Sequence, residues 1–187
     1  MEQPDKKTRF LDSVESVVKV HGERLSNLAG RELTAAKVVW DVDDDSWFAD
    51  EPVVLIFGDV QLEIVFWQLD GLALNWNTIE FDKAPNWFEC YGDLNLEWRA
   101  CNHDALTAVI GKRVTDIALV ELCESILTGA SANLADDARR QLPWLLHALK
   151  LQFGKSTLTV FNALDENGIS SEALNKDGFR HTEIIAN

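Results

Sequence analysis

Val53-Val-Leu-Ile-Phe-Gly-Asp-Val-Gln-Leu-Glu-Ile-Val-Phe-Trp-Gln-Leu-Asp70 reads as two strands joined by a tight turn at Gly58-Asp59. Val53, Leu55 and Phe57 share one face of the first strand, and Leu62, Ile64 and Phe66 one face of the second. Gly58 supplies the positive φ that a tight hairpin turn often needs. A near copy follows at Leu149-Lys-Leu-Gln-Phe-Gly-Lys-Ser-Thr-Leu-Thr-Val-Phe-Asn-Ala-Leu-Asp165. Both carry Phe-Gly, a Leu four residues after the glycine, an aliphatic residue two further on, and a closing Leu-Asp.

Working outward, the segment before each hairpin also repeats. Glu23–Thr34 aligns with Asp104–Thr115 at a constant offset of 81, pairing Leu25 with Leu106, Gly30 with Gly111, Leu33 with Val114 and Thr34 with Thr115. The hairpins align at an offset of 96, Phe57 with Phe153. The second offset exceeds the first by 15, which places an insertion of about that length between Glu124 and Pro143. Its residues read as a capped helix, within bounds of approximately 125–143. Ser131 or Asn133 begins it, Arg139 and Arg140 fall late, and Pro143 ends it.

These patterns predict an α+β chain, mainly antiparallel β-sheet, forming a single compact domain over 1–187 with pseudo-twofold symmetry. Two tandem repeats, approximately 13–82 and 94–187, each supply a strand, a short helix, a strand and a hairpin. One repeat alone would have a marginal core. In the first repeat the β-branched run predicts a strand over Val14–Val20 and a short helix over Glu23–Ala29, although Phe10, Val14, Val17, Val18, His21, Leu25 and Leu28 also fit a helical stripe. A strand to about Val42, an acidic loop from Asp43 to Pro52 and a strand after Leu72 are expected around the hairpin, and a short strand over Arg180–Ile185 closes the chain.

The 187 residues are 47% hydrophobic and 26% charged, an ordinary globular balance that excludes disorder. Three cysteines, Cys90, Cys101 and Cys123, show no framework spacing and read as reduced thiols, so a cytoplasmic location is expected. The sequence shows no secretion signal and no apolar run long enough to span a membrane. The formal net charge is −14, and the 45 residues from Val38 to Asp82 contain 11 acids and no Lys, Arg or His. Such a field repels nucleic acid and anionic membranes and attracts basic partners.

Motifs for chemistry are weak. Asp41-Val-Asp-Asp-Asp45 invites a calcium reading, but an EF-hand loop starting at Asp41 would need Gly at Ser46 and Glu at Pro52. Cys101-Asn-His103-Asp104 offers ligands at close spacing without the second pair that a structural zinc site uses. No nucleophile elbow, P-loop or dinucleotide fingerprint occurs, and Phe153-Gly-Lys-Ser156 lacks the earlier glycine of a phosphate loop. No cofactor, metal site or catalytic residue is expected. Seven tryptophans are chiefly core candidates, while Trp67 and Trp76 flank a turn in the acidic segment and suit a sugar site or an interface.

The reading that fits the charge block is a small acidic binding protein that engages a basic protein, as an inhibitor does. Its expected binding face is Asp43, Asp44, Asp45, Trp47, Asp50 and Glu51. In size, charge and lack of catalytic motifs the chain resembles small acidic antitoxin or immunity proteins, a likeness that rests on no shared motif and implies a basic partner. The alternative is a small-molecule-binding domain or small enzyme with its site in a cleft between the two repeats.

Overall fold

The computed structural model describes residues 9–85, 94–124 and 143–185. Two antiparallel sheets share one core. The first half supplies α1 (Val14–Ser26), β1 (Ala35–Asp41), β2 (Ser46–Trp47), β3 (Val53–Phe57), β4 (Val60–Trp67) and β5 (Gly71–Trp76), followed by β6 (Leu96–Ala100). The second supplies α2 (Asp104–Thr107), β7 (Asp116–Cys123), β8 (Trp144–Phe153), β9 (Ser156–Asn162), β10 (Asn167–Ser170) and β11 (Phe179–Glu183).

In the first sheet Lys37 of β1 pairs with Val54 of β3 and with Ala100 of β6, so β3 and β6 flank β1 on opposite sides. Trp40 of β1 likewise pairs with Trp47 of β2 and Glu97 of β6, which puts β2 on the β3 side. The order across the sheet is therefore β6, β1, β3 with β2 in line, β4 and β5. The second sheet runs β11, β7, β8, β9 and β10.

The alternation read from the hairpins holds. Val53, Leu55, Phe57, Leu62, Ile64 and Phe66 join Leu149, Leu151, Phe153, Leu158 and Val160 in a single buried cluster. Phe57 and Phe153 are both buried, and the glycines after them have φ of 69° and 63°. The outer face of the first sheet is also covered. There Glu63 is fully buried, and its carboxylate accepts hydrogen bonds from the Thr78 backbone N–H and hydroxyl and from the Ile79 N–H, at 2.5, 2.5 and 3.1 Å. Three donors to one carboxylate offset its desolvation and tie the segment after β5 to the sheet.

The two halves meet through a reciprocal set of backbone hydrogen bonds. Gly30 N–H donates to Val114 O and Gly111 N–H to Leu33 O, both at 2.8 Å. Leu33 N–H donates to Lys112 O and Val114 N–H to Arg31 O, both at 2.9 Å. Glu32 and Arg113 face each other at the centre of this set. Gly30 and Gly111 have φ of 79° and 80°, a region where a side chain is strained. Each following threonine then binds its own hairpin, Thr34 to Ile56 O and Thr115 to Gln152 O, through backbone N–H and hydroxyl alike.

Three expectations change. The predicted strand over Val14–Val20 is instead the first half of α1. Helical spacing buries Val17 and Leu25 and leaves Val18 and Val20 exposed, and burial of that stripe outweighs the β-branched preference. The short helix expected over Glu23–Ala29 is the end of the same helix, which Glu15 in its first turn and Arg24 in its last favour electrostatically. The strand expected to open the second repeat is present as β6, but it pairs with β1 and so belongs to the first sheet. The helix expected over 125–143 lies outside the described residues apart from Pro143.

Candidate functional site

The acidic loop is an ordered turn. Antiparallel pairing of Trp40 with Trp47 and of Asp41 with Ser46 brings β1 and β2 together, and residues 42–45 cross between them. The Asp41 carboxylate is buried and accepts from the backbone N–H groups of Asp43 and Asp44 at 2.9 and 3.2 Å. That is the turn-forming use of aspartate, and it commits Asp41 to the backbone. Asp45 adopts a φ of 47°, tolerable for aspartate in a turn.

Asp43, Asp44 and Asp45 all face solvent. Asp45 accepts from the Trp40 indole N–H at 3.0 Å and meets Arg99 at 3.4 Å. Arg99 stacks over the Trp40 ring, 5.2 Å from its centroid, and also pairs with Glu97. Asp43 accepts from the Asn95 amide at 3.1 Å. One cation thus serves two carboxylates at the edge of the turn, and the face keeps its negative excess.

The other expected residues divide. Asp50 is exposed, and partial burial together with the nearby Asp165 carboxylate pushes its pKa up. Trp47 is half-buried and packs against the main core. Glu51 is fully buried, so its side chain presents no surface charge. The tip of the face is therefore Asp43, Asp44 and Asp45, with Asp50 to the side. Position in an acidic run did not reveal Glu51's burial, because Pro52 and Val53 beside it are buried too.

Buried polar residues beyond this loop escaped sequence reasoning. Asn167 at the start of β10 donates from its amide to Ala49 O and Glu51 O and accepts from Phe66 N–H, at 3.0, 2.9 and 2.9 Å. Asn162 donates to Gln68 O. Glu121 is buried and paired in two-pronged fashion with Arg180, which also stacks on Trp144. A polar residue in a strand reads as solvent-facing unless its long-range partner is known.

The Cys101–Asp104 stretch is the start of α2. His103 caps it, its Nδ1 accepting from Ala105 N–H at 3.2 Å. Burial pushes the Cys101 thiol up in pKa, away from a reactive thiolate. Among the described residues no three His, Cys, Asp or Glu side chains converge as a metal site, and no helix is long and apolar enough to cross a membrane. Cys90 lies outside the described residues. The chain matches no known protein family, no curated protein and no solved structure.

Proposed function

We propose that the chain is a binding protein whose β1–β2 turn engages a basic protein, with Asp43, Asp44 and Asp45 as the contact charges. The observation that supports this reading most is the combination of exposure with fixed geometry. Three consecutive carboxylates stand in solvent on a turn held by Asp41, with Arg99 the one cation bound there among the described residues. A preordered face loses little conformational freedom on association, and its field raises the association rate of a cationic partner. The block of 45 residues without a positive charge opposes compactness by self-repulsion, which an interaction would offset.

The test is to replace Asp43, Asp44 and Asp45 by Asn and to measure association with partners cross-linked to the wild-type protein. The expected result is a slower association with a flatter salt dependence, because screening shortens from about 10 Å at 0.1 M to about 3 Å at 1 M salt. Unchanged rates in a folded variant would leave the face a solubility device.

We further propose that the chain is a duplicated unit, spanning roughly 13–100 and 104–187 rather than the 13–82 and 94–187 read from the motifs, because β6 returns beside β1 and completes the first copy. Supporting it are the two sequence offsets of 81 and 96, the reciprocal bonds around Glu32 and Arg113, and the matching strand orders of the two sheets. With α1 and α2 as the aligned helices, the unit is a helix, four strands in meander order and a fifth that returns beside the first.

A further inference from the structure

A groove of about 300 Å³ lies between the last turn of α1 and the β4–β5 edge. It has an unusual charge for this chain. Arg24 lines it and has no carboxylate partner among the described residues, although acids outnumber Lys and Arg by 31 to 17. Arg31 also reaches it and is paired, at 2.8 Å, with the exposed Asp59. Leu28, Val60 and Trp76 form the apolar part of the wall, and Asn27 and Asn77 contribute amides.

The wall is held in place. The Trp76 indole N–H donates to His21 Nδ1 at 3.3 Å, which fixes the ring and requires that nitrogen of His21 to be unprotonated. Burial and the Arg24 charge lower the His21 pKa, in the same sense. Arg24 stands over the Trp76 ring, 5.9 Å from its centroid. Asn77, at a φ of 59°, uses its side-chain oxygen to accept from Gln61 N–H, which leaves its amide nitrogen to donate elsewhere.

We propose that this groove binds a small organic carboxylate, with the carboxylate on the Arg24 guanidinium and an apolar body against Leu28, Val60 and Trp76. The planar guanidinium matches a carboxylate with two parallel hydrogen bonds. The amides of Asn27 and Asn77 supply further donors, so the groove's wall is more polar than apolar and suits a carboxylate with a small apolar body. A dianion such as phosphate fits less well. The groove adjoins a helix C-terminus, whose carbonyls repel negative charge, and the chain's overall field adds to that cost. The volume, at the small end for ligand sites, limits the body to one ring or a short branched chain. The site shares no residue with the acidic turn, so the two proposals stand or fall separately.

The experiment titrates the full-length protein with 3-phenylpropionate, with its neutral amide, and with inorganic phosphate. The indole N–H of Trp76 and the side-chain NH2 signals of Asn27 and Asn77 are followed by NMR. The expected result is saturable movement of these signals with 3-phenylpropionate, at least tenfold weaker binding of the amide and of phosphate, and loss of at least tenfold in affinity in Arg24→Gln. Arg24→Lys, which keeps the charge without the fork, falls between. The proposal is overturned if the signals do not saturate, if the amide or phosphate binds as well as the carboxylate, or if Arg24→Gln, shown folded by its unchanged remaining spectrum, binds like wild type.

Discussion

Lowering the pH from 7 to 5 should destabilise this protein through His147. The imidazole lies on β8 between the rings of Phe161 and Phe179, each 5.8 Å away between centroids. Burial pushes its pKa down to about 4 from an ordinary 6.5. The folded protein therefore holds it neutral, while the unfolded chain takes up a proton below about pH 6.5. Its contribution is fully present above that pH and is lost as pH falls toward about 4. Linkage over this interval gives about 2 kcal/mol lost between pH 7 and 5. Urea unfolding at the two pH values measures it, and the loss corresponds to a midpoint shift of about 1 M for a typical slope. Other groups titrate in the same range, so His147→Phe is the reference. Phe keeps an aromatic ring between Phe161 and Phe179 and has no proton to gain. Wild type should lose about 2 kcal/mol more than the variant between the two pH values. Equal losses in the two proteins would show that the imidazole is solvated in the folded state and would refute the argument.

Phe57→Ala and Phe153→Ala should each cost about 3–5 kcal/mol in denaturant melts, since both rings are buried in the common core. Gly30→Ala and Gly111→Ala should each destabilise by roughly 1–2 kcal/mol through the positive φ alone, because nothing lies within 4 Å of the added methyl. Gly168→Ala should exceed both, since its Cβ would fall 2.3 Å from the Phe161 ring. Glu63→Gln leaves fewer acceptors for the Thr78 and Ile79 donors and should cost about 1–3 kcal/mol. Hydrogen exchange at the Thr78 and Ile79 amides, faster in that variant, would separate local release of this segment from global loss.

Local chemistry made the hairpins legible. Gly58 and Gly154 mark their turns, and alternation assigns the buried face directly. Gly30 and Gly111 were legible as a matched pair, though not the bonds they make to each other's halves. The helix α1 was obscured because Val14, Val17, Val18 and Val20 satisfy two periods at once, and only the shared core selects the helical one. In the candidate face, Asp43, Asp44 and Asp45 were legible because a turn between two strands has nowhere to bury them. Glu51 was not, because its burial accompanies a contact from far along the chain, the Asn167 amide on its carbonyl, which no local pattern announces. The Arg24–Trp76–His21 grouping spans 55 residues of chain and carries no spacing signal.

Asn167 has a kinetic consequence. Its amide closes onto Ala49, Glu51 and Phe66, partners more than 100 residues earlier in the chain. Loop-closure entropy must be met before such a contact rewards it, and chains rich in distant antiparallel pairings fold in milliseconds to seconds. During synthesis the first sheet leaves the ribosome with Phe66 N–H and the Glu51 carbonyl still lacking the side chain that satisfies them. Its inner face also lacks Leu149, Leu151 and Val160, which come from strands not yet made. The first half therefore waits, apolar surface exposed, until β8, β9 and β10 arrive.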